Sequence, residues 1–130
     1  MTATGYVFDA GPLIGIEKRS SVMLAIVDGL KQSEVSVHVP ATVLAQVWRG
    51  GHRQASLAKF LKADHVHVEA LSRTIALASG VLCQQAGCKD IVDASVIVMA
   101  RKLGVPVLTG DEKGLTKLRA LDSRITIRTI

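Results

Sequence analysis

The chain has 130 residues, of which 48% are hydrophobic and only 3% aromatic, and its formal net charge is +5. This length and composition predict a single compact domain, residues 1–130, with an aliphatic core, and they exclude a two-domain architecture. No apolar run approaches the roughly 20 residues of a membrane helix, and the N-terminal residues lack the basic start and apolar core of a signal peptide, so we expect a cytoplasmic protein with no membrane partner. The positive charge fits a polyanionic partner without requiring one.

Short apolar strands and helical patterns alternate along the chain. Five strands alternating with helices predict an α/β fold, an α/β/α sandwich around a five-stranded, mostly parallel sheet with right-handed crossovers. The last strand alternates apolar and polar residues, as a half-exposed edge strand does. The predicted strands are 6–8, 35–39, 65–68, 105–108 and 125–130, and the predicted helices are 11–16, 21–31, 42–48, 54–63, 71–86, 90–104 with its caps, and 115–121.

The helix 90–104 has both of its ends marked in the sequence. Asp90 fits the N-cap position and Asp93 the acidic third residue of a capping box. Arg101 and Lys102 suit the negative end of the helix dipole, and Gly104 suits a left-handed C-cap. Capping alone therefore accounts for both aspartates.

Strand order gives these two aspartates a second interpretation. In a parallel α/β sheet, the carboxyl ends of the strands lie at one edge, where ligands bind. Asp9 follows the first strand, Asp111 follows the fourth, and the helix opened by Asp90 and Asp93 begins at that same edge. The sequence therefore predicts that four carboxylates converge.

Converging carboxylates repel one another and stay ionised only when a cation lies between them. Oxygen ligands with no Cys or His nearby favour Mg²⁺ or Mn²⁺ over zinc. In a basic protein such a site predicts phosphodiester chemistry, in which the metal activates water and neutralises charge on the phosphate. Individually, Asp9 also fits a helix cap, Asp111 fits turn chemistry, and Asp90 fits a cap and a ligand equally well.

The two cysteines, Cys83 and Cys88, are five residues apart within a helical pattern. This spacing predicts that they face different sides. We therefore expect two reduced structural thiols rather than a metal or redox pair.

Four segments, FDAGPLI, PATVLAQVWRGG, DIVDASVIVMAR and VLTGDEKGL, together resemble a PIN domain, and in particular the VapC-type ribonuclease toxins of bacterial toxin–antitoxin pairs. They occur in the family's order over essentially the whole chain. The resemblance implies that Asp9, Asp93 and Asp111 are acids of the active site. It further implies that Asp90 is an accessory acid and that Thr109 is the hydroxyl residue near the last aspartate.

The chain departs from this family at one position, where Gln46 stands in place of the usual Glu. Gln offers a carbonyl oxygen to water or metal but carries no charge. Three interpretations follow: Asp90 supplies the missing charge, the site binds metal weakly, or the enzyme is catalytically impaired. We favour the first, because Asp90 and Asp93 are three residues apart on one helix face. A plain polar residue on a helix surface is the alternative for Gln46.

Basic residues follow Gln46 and flank the acidic segment. We hypothesise that Arg49, Arg53 and Lys113 hold RNA phosphates beside the acids, which would make binding strongly dependent on salt. A solvated basic face is the alternative.

These observations predict a metal-dependent endoribonuclease that uses Mg²⁺ or Mn²⁺ to hydrolyse RNA phosphodiester bonds. The resemblance also implies a small VapB-like antitoxin that blocks the cleft and a homodimer formed through helix faces. A catalytically impaired PIN domain that binds RNA or protein is the main alternative, because of Gln46. A receiver or phosphatase domain would need a second acid beside Asp9, where Ala10 and Gly11 stand.

Overall fold

The computed structural model describes residues 3–119 and 125–130, apart from the side chain of Lys117. The strands and helices alternate as the sequence predicts. The last predicted helix begins earlier than expected, and its final residues, 120 and 121, lie outside the described residues. The strands are β1 Gly5–Phe8, β2 Ser36–Pro40, β3 Val66–Glu69, β4 Val107–Thr109 and β5 Ile127–Thr129, and the helices are α1 Ala10–Glu17, α2 Ser21–Gln32, α3 Ala41–Val47, α4 Ala55–Leu61, α5 Arg73–Ala86, α6 Ile91–Leu103 and α7 Glu112–Arg119.

The five strands form one sheet in the order β3-β2-β1-β4-β5. Every neighbouring pair is parallel, so the prediction of a mostly parallel five-stranded sheet is confirmed. Strand β5 lies at an edge, as its alternating pattern predicts. Strands β1 and β4 are neighbours, and Phe8 pairs with Leu108 near their carboxyl ends.

Helices flank the sheet and bury an aliphatic core. On one side, Phe8 of β1 stacks on Phe60 of α4, with 5.9 Å between the ring centroids. Helix α6 is buried along Ala94–Ala100 and packs on β1, β2 and β4 as well as on α5 and α7. Within the described ranges, no helix is long and apolar enough to cross a membrane.

The predicted helix 54–63 is divided in the structure. A 3-10 turn over His52–Gln54 precedes α4. Gly50 and Gly51 have φ angles of 77° and 88°, a conformation that favours glycine, and they turn the chain sharply before this segment. Strand β4 also begins later than predicted, after Pro106, which has no N–H to donate to a ladder.

Candidate active site

Two of the predicted acids are joined through one hydroxyl group. Asp9 lies between β1 and α1 and is only 8% exposed, and its side chain makes no capping bond to α1. Its Oδ2 accepts a hydrogen bond of 2.9 Å from Oγ1 of Thr109, a fully buried residue at the end of β4. The same Oγ1 accepts the N–H of Asp111 at 3.0 Å. Thr109 thus fixes Asp9 relative to the segment that carries Asp111.

A close backbone contact keeps the start of α1 against this segment. A Cβ atom added to Gly11 would lie 2.9 Å from the backbone nitrogen of Gly110. Because this nitrogen belongs to the backbone and not to a movable side chain, only glycine fits at position 11 without a backbone shift. The corner that holds Asp9 and the turn that holds Asp111 are therefore packed directly on each other.

Asp93 and Asp111 converge above α7. A Cβ atom added to Gly114 would lie 3.2 Å from Oδ2 of Asp93 and 3.2 Å from Oδ2 of Asp111. The Oδ1 atom of Asp111 accepts the N–H of Gly114 at 3.3 Å, so Asp111 also caps α7. Asp111 therefore caps α7 and also belongs to the acidic edge.

Asp90 caps α6 as predicted, but the capping box is only half formed. Its Oδ1 accepts the N–H groups of Val92 and Asp93 at 3.0 and 3.1 Å. The N–H of Asp90 is directed to the sulfur of Cys88, at 3.3 Å, instead of to the Asp93 carboxylate. Within the described part of the chain, the Asp93 carboxylate makes no hydrogen bond. It is therefore free to face the other acids.

The electrostatic environment of Asp93 reflects the convergence of all four acids. Burial first, and then the negative charges of Asp90, Asp9 and Asp111 in that order, together raise its pKa from 3.8 to about 7. Without a cation, Asp93 is therefore close to its titration midpoint at neutral pH. The topological prediction that these four residues share one edge agrees with this coupling.

The donor atoms at this edge are all carboxylate oxygens, which suit a hard divalent cation such as Mg²⁺ or Mn²⁺. Among the described residues, no group of three or more His, Cys, Asp or Glu is arranged closely enough to enclose a metal ion. The acids thus share an edge and a common field without forming a complete ligand shell. In donor type and charge they fit such a cation.

Gln46 lies beside this edge in α3 and is exposed, and it has no hydrogen-bond partner in the described chain. It lines a cleft of about 480 Å³ whose wall also includes Ala10, the residue directly after Asp9. Arg49 and Arg53 line the same cleft. Gln46 is therefore part of the cleft wall next to the acids.

The three predicted phosphate-binding residues differ in whether their side chains already make hydrogen bonds within the chain. Arg49 uses Nη1 to donate to the carbonyl oxygens of Ala45 and Trp48, at 3.2 and 2.7 Å, and so closes the end of α3. Arg53 is exposed on the 3-10 turn, and Lys113 is exposed in the first turn of α7. Arg53 and Lys113 are thus better placed than Arg49 to contact phosphate.

Two polar residues of the cleft were not singled out from the sequence. Gln54 is only 3% exposed, and its Nε2 donates to Oε1 of Glu17 at 2.5 Å. It also bonds to the backbone of Val47, Arg49 and Gly50. No sequence pattern marks this role, because its bonding partners come from a loop and from a distant helix.

The expectation that the two cysteines face different sides is wrong. Gly87, with φ of 63°, ends α5 and turns the chain, and the N–H of Cys88 bonds back to the carbonyl oxygen of Cys83 at 3.0 Å. Both thiols lie against the carbonyl oxygen of Asp90, at 3.6 and 3.4 Å. Burial, and then the hydrogen bond with Cys88, raise the pKa of Cys83 to about 11. Both thiols are free, as predicted.

Comparison with known proteins decides the family. A family model described as the PIN domain matches residues 6–121, which is most of the chain. The chain belongs to the PIN-domain family. Members of this family are generally nucleases. No curated protein matches this PIN domain by sequence.

Solved structures share the fold of this PIN domain at low sequence identity. VapBC2 from Rickettsia felis, bound to a DNA fragment from its promoter, aligns with a TM-score of 0.75 and 14% identity over 97% of this chain and 98% of that chain. FitAB bound to an IR36 DNA fragment aligns with a TM-score of 0.65 and 12% identity, covering 95% of this chain and 94% of the other. FitAcB from Neisseria gonorrhoeae gives 0.60 and 13%, covering 94% and 95%.

Proposed function

We propose that this PIN domain is a metal-dependent endoribonuclease of the VapC type. The observation that carries the proposal is Asp93, a half-buried carboxylate with no hydrogen-bond partner in the described chain and a pKa raised to about 7 by burial and three neighbouring acids. A carboxylate in this state favours replacement of its proton by a cation. Membership of a family of nucleases supports phosphodiester hydrolysis as the reaction.

In this proposal Asp9, Asp93 and Asp111, with Asp90, hold Mg²⁺ or Mn²⁺. When bound, such an ion neutralises charge on the phosphate and activates water. Thr109 orients the Asp9 carboxylate through its 2.9 Å hydrogen bond, so this ligand is fixed before any cation arrives.

Gln46 and the basic residues have different roles in the proposal. Gln46 contributes a neutral amide that can bond to water or to a phosphate oxygen, and the charge of Asp90 compensates for the missing glutamate. Arg53 and Lys113, with Arg49, provide the positive charge that holds the RNA backbone.

The proposal includes a small antitoxin of the VapB kind. The structural neighbours VapBC2 and FitAB support it, because both are complexes that share this fold. It also includes a cytoplasmic location and a homodimer. Leu77 and Val81, one turn apart on α5 and each 57% exposed, give an apolar helix face that a second copy would cover.

An RNA cleavage assay with metal titration tests this function. We expect the wild-type protein to cleave RNA with Mg²⁺ or Mn²⁺ and not with EDTA. D93N should lower the rate by on the order of 100-fold, the loss typical of removing one essential group from an active site. D28N, which removes an exposed acid of α2, is the matched control and should leave the rate unchanged.

The variant Q46E separates the two candidate functions. If Asp90 compensates, the added charge should tighten metal binding by about 10-fold with little gain in maximal rate. A wild type that cleaves no RNA, together with full activity in Q46E, would show that the natural chain is a catalytically impaired binding module. Cleavage by D93N at the wild-type rate would refute the acidic site itself.

A further inference from the structure

The cleft beside the acidic edge has the composition of a ligand site. Its volume of about 480 Å³ falls within the roughly 300–1,000 Å³ of small-molecule pockets. Ala10, Ile14 and Val47 provide apolar surface, and the polar and charged groups come from Glu17, Gln46, Arg49, Arg53 and Gln54. A mostly apolar wall with a few convergent polar groups is the usual arrangement for binding a planar organic group.

Glu17 brings an oriented carboxylate to this cleft. Its Oε1 accepts a hydrogen bond of 2.5 Å from Nε2 of the buried Gln54. Its Oε2 makes no hydrogen bond to any residue of the described chain. Glu17 therefore presents a free acceptor at a fixed position, at the end of the helix that begins beside Asp9.

Gln54 holds two walls of the cleft at once. Its Oε1 accepts the N–H groups of Arg49 and Gly50, at 2.7 and 2.8 Å, and its Nε2 also donates to the carbonyl oxygen of Val47 at 2.9 Å. Through Glu17 it joins this loop to α1. A buried amide with every hydrogen-bonding atom satisfied makes its surroundings rigid, so the cleft is formed before a ligand binds.

We propose that this cleft is a base subsite that selects RNA bases with an exocyclic amino group, and this inference rests on the proposed ribonuclease function. Proteins recognise single-stranded RNA by accepting unstacked bases into pockets and bonding to their Watson–Crick edges. A carboxylate accepts hydrogen bonds from the amino groups of adenine, cytosine or guanine. Uracil has no amino group, and its one Watson–Crick donor, N3–H, lies between two carbonyl oxygens that repel a carboxylate. Ala10, the residue after Asp9, lines the cleft, so a base bound there would flank the phosphodiester held at the acidic edge.

The experiment compares wild type, E17Q and the control E34Q, which removes the same charge from an exposed turn after α2. The probes are single-stranded oligouridine RNAs with one position replaced by adenine, cytosine or guanine. Binding is measured in EDTA and cleavage with Mg²⁺. E17Q keeps the Gln54 bond, because an amide oxygen still accepts it.

We expect wild type and E34Q to prefer at least one of the amino-bearing bases over uracil by about 5- to 100-fold, the discrimination of one good polar contact to a base. E17Q should reduce this preference to within about twofold and should bind oligouridine at least as well as wild type does. A lost preference with retained binding separates base selection from a general effect on folding.

Three results would overturn the inference. Equal cleavage of all four RNAs by wild type would show that the cleft does not select bases, while the proposed ribonuclease function would still hold. An unchanged preference in E17Q would show that Glu17 does not select the base. Absence of binding and cleavage for every RNA would refute the subsite and the ribonuclease function together.

Discussion

Burial at an edge shared with three other acids raises the pKa of Asp93, and this shift makes the free energy of unfolding depend on pH. Its pKa is raised from 3.8 to about 7 in the folded chain. Between these values the folded state binds more protons than the unfolded state, so the contribution of Asp93 to stability is full below pH 3.8 and is lost as pH rises through 7. Bound Mg²⁺ should restore it.

We therefore expect D93N to be more stable than wild type at pH 8 in EDTA and to lose that advantage near pH 4. The expected difference is about 1–3 kcal/mol, below the full value of the pKa shift because solvent reaches and screens the half-exposed side chain. Urea unfolding of both proteins across this pH range measures it. His65 is present in both proteins, so its effect on the free energy of unfolding cancels in the comparison. Its pKa is lowered mainly by burial, and its contribution to stability is lost as pH falls below 6.5. A wild-type-minus-D93N difference that is constant with pH would contradict the prediction.

The acids of the site could be predicted from sequence, but the polar residues around them could not. Asp9 and Asp93 follow from where the first strand ends and where the helix 90–104 begins, which are local features. Gln54 bonds to Glu17, 37 positions away, and its role depends on the loop made by Gly50 and Gly51. Such long-range contacts leave no periodic pattern in the sequence.

Helix α7 approaches the acids so closely that it shapes the site. Gly114 lies where a side chain would contact the carboxylates of Asp93 and Asp111, both at 3.2 Å from the Cβ position. We expect G114A to weaken Mn²⁺ binding by about 10-fold, because the carboxylates must separate and their orientation is set by this packing. Calorimetric titration with Mn²⁺ measures the loss.

The matched control for G114A is G80A, in α5, where an added Cβ would have no neighbour within 4 Å. Alanine favours helix over glycine, so G80A should stabilise the protein by about 0.5–1 kcal/mol without changing metal affinity. Unchanged Mn²⁺ affinity in G114A would show that the glycine does not make room for the acids.

The boundaries of elements were predictable where they depend on local caps. Asp90 and Gly104 delimit α6 as predicted, since capping bonds join residues within one turn. The sequence predicts a start for α7 three residues later than the observed one, because the apolar pattern begins at Leu115 whereas the helix is already capped by Asp111. The sequence misplaces the cysteine pair because the helical pattern continues across Gly87, where α5 ends.

At the scale of the molecule, the alternation of strands and helices predicts a parallel sheet but not the order of its strands. The order β3-β2-β1-β4-β5 makes β1 and β4 neighbours. Only this adjacency lets Thr109 bond to Asp9 and lets Gly110 pack against Gly11. The sequence therefore predicts that the acids lie at one edge of the sheet, and the structure shows which contacts they make there.

The net charge of +5 and the position of its basic residues give a prediction for the whole surface. Helix α6 begins at the acidic edge and ends at the opposite one, so Lys102, exposed in its last turn, lies far from Arg53 and Lys113.

If the RNA backbone lies along the acidic edge, R53Q and K113Q should each lower the slope of log affinity against log salt by about 0.7, the value for one phosphate contact to a single strand. K102Q should leave the slope unchanged. Affinities for oligouridine in EDTA, measured from low to moderate salt, give these slopes. Equal reductions in all three variants would mean that RNA is attracted by the overall charge, and the assignment of Arg53 and Lys113 as phosphate contacts would then be withdrawn.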